Sequence, residues 1–182
     1  MRLLLIFLTG LFLGSACKKE HNSNEPVTPL PNAWVGPQQH GWGKCKRDGV
    51  AWEGSGSWTY VYSDSSKISL GFQTFDMDTM LIEQMGLFLI PLQEGKHVLH
   101  AYSGDFSKTG ASYWVGYYDE TDASYKIDES RNNYMWIDSY DPVKKTVKGR
   151  FQAYFSREES NLFNYPEAVA FEDGEFEVSI HQ

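Results

Sequence analysis

From residue 44 onward, apolar and polar residues alternate with a period of two, the pattern of strands buried on one face. The cleanest case is Thr146 to Phe155. Val147, Gly149, Phe151, Ala153 and Phe155 share one side, and Lys148, Arg150 and Gln152 the other. Ile68, Leu70 and Phe72 oppose Ser69, Gly71 and Gln73 in the same way, and Trp58, Tyr60 and Tyr62 line one face of a further strand. Alternation returns in Ser112 to Tyr118 and in Tyr134 to Tyr140. Leu87-Phe88-Leu89-Ile90 is apolar on both sides and predicts a buried strand ending at Pro91. Residues Gly95 to Leu99 predict a short strand after a glycine turn, whereas Asp76 to Gln84 fits a helical turn or a strand equally.

Punctuation between these runs is of the β kind. Asp48-Gly49 is a hairpin turn signal, because both residues tolerate φ > 0. Gly54-Ser55-Gly56-Ser57 reads as a turn-prone run before a strand, and Asp64-Ser65-Ser66 as a turn. The polar stretches Asp119 to Asp122 and Asp128 to Asn133 separate strands. In the closing strand Phe176, Val178 and Ile180 share a face with which Phe171 is out of phase; a one-residue bulge at Asp173-Gly174 returns Phe171 to the core side. The expected fold is all-β, a mostly antiparallel sandwich or partly closed barrel, in a single domain over 44–182.

The N-terminal part follows different rules. Met1-Arg2, an apolar run from Leu3 to Leu13, and Gly14-Ser15-Ala16 before Cys17 form the layout of a secretory signal peptide over residues 1–16. The run's eleven positions reach roughly 16 Å as a helix, short of the ~20 residues a bilayer core needs. A cysteine at the cut resembles the bacterial lipoprotein signal, in which the new N-terminal Cys carries lipid. Residues 17–43 then read as a lipidated Cys17 with a Pro-rich tether, holding Pro26, Pro29, Pro31 and Pro37. Lys18 stands where Asp would mark inner-membrane retention, and Cys17-Lys18-Lys19-Glu20 resembles the surface-export signal of Bacteroidota lipoproteins. That resemblance implies an outer-membrane lipid anchor, facing the periplasm or the cell surface, with palmitate among the attached lipids.

Loss of residues 1–16 removes one charge, Arg2, and takes the formal net charge from −8 to −9. Such an acidic chain lacks the clustered basic surface that phosphate binding requires, so nucleic acid is not an expected partner. With Cys17 lipidated, Cys45 has no disulfide partner and reads as a small buried apolar residue.

Asp48-Gly49 with Trp52, Gly95-Lys96-His97-Val98-Leu99, Val147-Lys148-Gly149-Arg150-Phe151 and Asp173-Gly174-Glu175-Phe176 together resemble the pattern of a family of small uncharacterised Bacteroidota lipoproteins. The likeness covers roughly residues 44–182 and implies a single β-sandwich-like domain. It carries no catalytic residues across.

No nucleophile elbow, phosphate loop or zinc-spaced Cys/His cluster is present, and His97 and His100 fall on opposite strand faces. No catalytic residue, metal or cofactor is therefore assigned, although Asp76, Asp78, Asp119, Glu120 and Asp122 are oxygen ligands of the kind calcium takes. The chemical oddity is 26 aromatic residues beyond the signal peptide, Phe7 and Phe12 discounted. Core packing is their commoner use. Aromatic faces also stack on sugars, and Trp58, Tyr60, Trp114, Tyr118 and Trp136 are the candidate ligand-binding residues. The expectation is an envelope-anchored, non-enzymatic binding or scaffold module with an envelope protein partner. A glycan-binding accessory protein and an envelope hydrolase are the alternatives.

Overall fold

A computed structural model describes residues 40–61, 64–76, 80–102, 107–117, 120–160 and 165–179, with the side chains of 58–61 and 117 outside the description. The described residues form eleven strands: β1 Gly41–Arg47, β2 Val50–Val61, β3 Asp64–Phe75, β4 Leu81–Pro91, β5 Gly95–Val98, β6 His100–Ala101, β7 Gly110–Tyr117, β8 Glu120–Ile127, β9 Tyr134–Asp141, β10 Thr146–Ser160 and β11 Ala168–Ser179. Each strand of the sequence β11-β1-β2-β3-β4-β7-β8-β10 pairs with the next, and β10 pairs back onto β11. The result is a closed eight-stranded antiparallel barrel with extra strands attached. Closure removes the sheet edges that an open sandwich would have to protect.

The fifteen residues of β10 make the extra strands possible. One edge of β10 runs along β11, while the other pairs first with β9, through Gln152, and then with β8, from Phe155. At the fork, the Tyr154 N–H donates to Asn133 Oδ1 (2.7 Å), and the Tyr154 carbonyl accepts from the Asp128 N–H (2.8 Å). Asn133 is buried and its amide donates to the Asp128 carbonyl at 2.7 Å. The 128–133 loop thus takes over the β10 backbone groups that neither β8 nor β9 reaches, as buried polar groups require. Beyond β9, the four-residue β5 forms the outer edge, short and with Lys96 exposed.

Local features follow the sequence closely in places. Asp48 and Gly49 have φ of 50° and 80°, the hairpin conformation their identities favour. Asp173 has φ of 53°, and the register of β11 against both β1 and β10 shifts at this point. The bulge brings Phe171 fully inside. Leu87 to Ile90 lies inside β4, ending at Pro91. A second bulge there explains the continuous apolar run: Leu70 pairs with Leu87 but Ile68 with Ile90, and Leu89 takes φ of 60°. The Phe88 ring turns outward against Tyr102 at 4.5 Å.

Other expectations are corrected. Residues 54–57 are the middle of β2 rather than a turn, because Gly54 leaves room beside the Trp52 indole and Gly56 beside the β1 backbone. Asp64 to Ser66 already belongs to β3, and Asp64 Oδ1 accepts from the Ser66 N–H and hydroxyl. Asp122 lies within β8, a strand whose inward residues are Ala123, Tyr125 and Ile127. A bulge at Asp138 turns Tyr140 to the core side, opposite to Tyr134 and Trp136. Strand β1 begins at Gly41, within the stretch expected to be spacer.

Inward side chains of every barrel strand meet in one core. Phe72 stacks on Phe151 (centroids 5.5 Å) and leans on Phe176 (6.0 Å). Phe171 meets Trp52, Tyr113 and Phe155 edge-on at 5.3, 5.1 and 5.8 Å. Edge-to-face pairing suits the ring quadrupoles. Glycine provides the room. A Cβ on Gly43 would sit 2.5 Å from the Phe72 ring, and one on Gly174 2.7 Å from the Phe151 ring. An eight-stranded barrel is just wide enough for side chains to fill it or for one small ligand. Here aromatic rings fill it.

Candidate functional site

Among the described residues, one acid is wholly enclosed in this apolar barrel. Glu83 follows the inward phase of Met85 and Leu87 on β4, and its side chain is 0 % exposed. Arg47 ends β1 two residues after the buried Cys45 and therefore faces inward too. Its Nη1 donates to Glu83 Oε1, which also accepts from the Tyr113 hydroxyl at 2.5 Å. Glu83 Oε2 accepts from Thr74 Oγ1 at 2.7 Å and from the Trp52 indole N–H at 3.2 Å. A carboxylate offers about four acceptor positions. Each oxygen here has two donors, from β1, β2, β3 and β7, so β4 is tied to its neighbours on both sides.

Electrostatics at the cluster follow from burial. Burial pushes the Tyr113 phenol well above its ordinary value, the adjacent Glu83 adds to the rise, and Arg47 offsets part of it. Tyr113 therefore keeps its proton and donates it. Burial likewise raises the Cys45 thiol, more than Arg47 lowers it. A protonated, buried thiol is a poor nucleophile, in line with Cys45 as a packing residue. Together these residues form a clamp with no acceptor position left for a substrate.

The outer wall is chemically different. Lys96, Trp136, Arg150, Glu175, Lys44 and Glu53 are successive register partners from β5 to β2, a row running across six strands. Cations of this wall lie over its rings: Lys96 over Tyr134 at 4.7 Å, Arg131 over Tyr154 at 4.1 Å, Arg150 over Trp136 at 5.4 Å and Lys44 over Trp42 at 5.2 Å. Arg150 also grips Asp138 through two hydrogen bonds, at 2.7 and 3.1 Å. Apolar inside and charged outside is the reverse of a barrel that spans a membrane.

The predicted ligand-binding residues do not assemble into one platform. Trp136 is 38 % exposed on β9, with Arg150 over its ring. Trp114 is half-buried on β7, which β8 and β10 separate from β9 in the sheet. Trp58 and Tyr60 lie on β2 with side chains outside the described residues, and Tyr118 and Cys17 lie outside them altogether. His97 Nε2 lies 2.8 Å from the Gln93 carbonyl, and no group of three His, Cys, Asp or Glu is placed for a metal among the described residues. Sequence reasoning passed over Arg47 and Glu83. Their two-residue spacing from Cys45 and Met85 was the available signal.

Comparison with protein-family models, curated proteins and solved structures finds no match to this chain.

Proposed function

We propose that this protein is an outer-envelope lipoprotein, tethered through Cys17, whose barrel is a non-enzymatic binding or scaffold module. Glu83 carries the non-enzymatic part of the reading. Among the described residues it is the acid with no exposed surface, and its four acceptor positions are all taken. A catalytic carboxylate needs an acceptor or proton free to meet substrate. The charged outer wall supports attachment through a lipid rather than through the barrel surface, and any partner would meet that wall. A glycan ligand is the second reading, favoured by the exposed Trp136.

Fractionation of cells carrying Cys17→Ala tests the anchor. The variant is expected to leave the membrane fraction almost completely, because the mature sequence has no other long apolar run. Membrane partition equal to wild type would place the anchor elsewhere. In the same intact cells, cross-linking from position 136 separates the two readings: a protein adduct supports the scaffold, and a glycan adduct the second reading.

A further inference from the structure

We infer that the turn between β9 and β10 is a membrane-contact tip, which docks the barrel against an anionic lipid surface and directs its opposite end away. This docking rests on the Cys17 anchor proposed above. Val143, at the tip, is 89 % exposed, the highest value for a large apolar side chain among the described residues. Lys144 follows it in the open, and Lys145 is half-buried. The turn holds its tip out in a fixed shape. Asp141 Oδ1 accepts from the N–H of Val143 (2.9 Å) and of Lys144 (3.0 Å), Pro142 has a fixed φ, and Lys145 closes the turn at φ of 53°.

Two observations choose the occupant. The first is where the chain enters. Thr146 Oγ1 lies 2.9 Å from Ser179 Oγ, and the Ser179 N–H donates to the His40 carbonyl at 2.6 Å. The tip therefore stands beside the residue through which the tether of residues 17–39 joins the barrel. The second is charge. Antiparallel order puts the β2–β3, β6–β7 and β9–β10 connections at this end, and the β1–β2, β3–β4, β7–β8 and β10–β11 connections at the other. Among the described residues, Lys67, Lys108, Arg131, Lys144 and Lys145 at the tether end balance Asp64, Glu94, Asp128, Glu129 and Asp141. Asp64, Asp128 and Asp141 each accept from backbone N–H groups of their own turns. The far end carries the acids Asp48, Asp76, Glu120, Glu159 and Glu167. An anionic surface repels the far end and attracts the lysines of the tip. An apolar side chain beside lysines suits the headgroup level, where the apolar part is covered and the ammonium groups meet anionic lipid. Each lysine at such a surface is worth about fivefold in binding.

Photo-crosslinking from position 143 tests it, in the lipid-carrying protein purified from membranes and reconstituted into vesicles of phosphatidylcholine and phosphatidylglycerol. Position 50 is the control, because Val50 is also exposed (69 %) but sits in the β1–β2 turn at the far end. Lipid adducts are expected from position 143 at least about fivefold above those from position 50. Lys144→Glu with Lys145→Glu should lower the yield at 143 at least about tenfold. Vesicles of phosphatidylcholine alone should lower it in the same direction. Lys144→Glu alone, at an exposed turn residue, keeps the test should the double variant melt early. Protein that floats with the vesicles but gives equal adducts at both positions overturns the docking and leaves the anchor standing. A yield at 143 that ignores the charge reversal reflects nearness to the tether alone and overturns it too. Protein that does not float with vesicles refutes the anchor, and the docking with it.

Discussion

Glu83→Ala is expected to lower the unfolding free energy by about 3–5 kcal/mol, the usual cost of removing one member of a buried ion pair. The loss follows from what stays behind. Arg47 keeps its charge under all conditions in which proteins fold, and its side chain is only 14 % exposed. Trp52, Thr74 and Tyr113 each lose an acceptor in the same apolar space. Glu83→Gln preserves the shape but removes the charge that Glu83 sets against Arg47 and turns an amide N–H₂ toward two donors. It is expected to recover little of the loss. For a domain holding about 5–15 kcal/mol in all, either change is a large fraction. Denaturant melts are the check: the midpoint should fall with the slope unchanged. A carboxylate kept for chemistry behaves differently, because replacing it often leaves stability equal or improved. An unmoved or raised midpoint would therefore return Glu83 to the list of catalytic candidates.

Phe151→Ala and Phe176→Ala are expected to cost about 3–5 kcal/mol each, the range for emptying a packed aromatic site. Both rings enter the core through the β10–β11 pair, where Gly149 lies opposite Phe176 and Gly174 opposite Phe151. Each ring lies over the glycine of the facing strand, so the cavity left by truncation is walled by backbone and cannot easily collapse. Arg150→Ala and Glu175→Ala, on the outer faces of the same strands, should leave the midpoint nearly in place. Tolerant phenylalanines with sensitive charges would mean that the two faces are reversed. The aromatic rings would then lie on the surface, and the glycan reading would gain.

How far these features were legible depended on how local their causes are. The Asp48-Gly49 hairpin and the Asp173-Gly174 bulge each rest on a few residues with known backbone preferences, and both stand where the sequence puts them. Strand β8 escaped notice because Asp122 is inserted into its alternation and Glu120 and Thr121 are exposed, which reads as loop. Plain alternation from Tyr134 and Trp136 would put Tyr140 on their face, and the bulge at Asp138 that turns it to the core carries no glycine to announce it. The Glu83 clamp has a local half and a distant half. Alternation on β1 and β4 puts Arg47 and Glu83 inside, but their meeting requires β1 to β4 and β7 to curl round a common interior. Nothing in a period of two distinguishes a curled sheet from a flat one. Barrel closure was left open for that reason, with sandwich and barrel equally compatible.

A barrel interior that is closed and filled leaves only the outer wall to meet a partner. Cys45 reports on it directly, as a buried free thiol beside the Glu83 clamp. In a Cys17→Ala chain it is the single cysteine. Its rate of labelling by a thiol reagent, measured across a denaturant series, is the test. A filled barrel predicts labelling only through unfolding, negligible in buffer and rising in step with the melt. Rapid labelling of the native protein, at a rate near that of an exposed thiol, would contradict the claim and reveal an interior open to ligands.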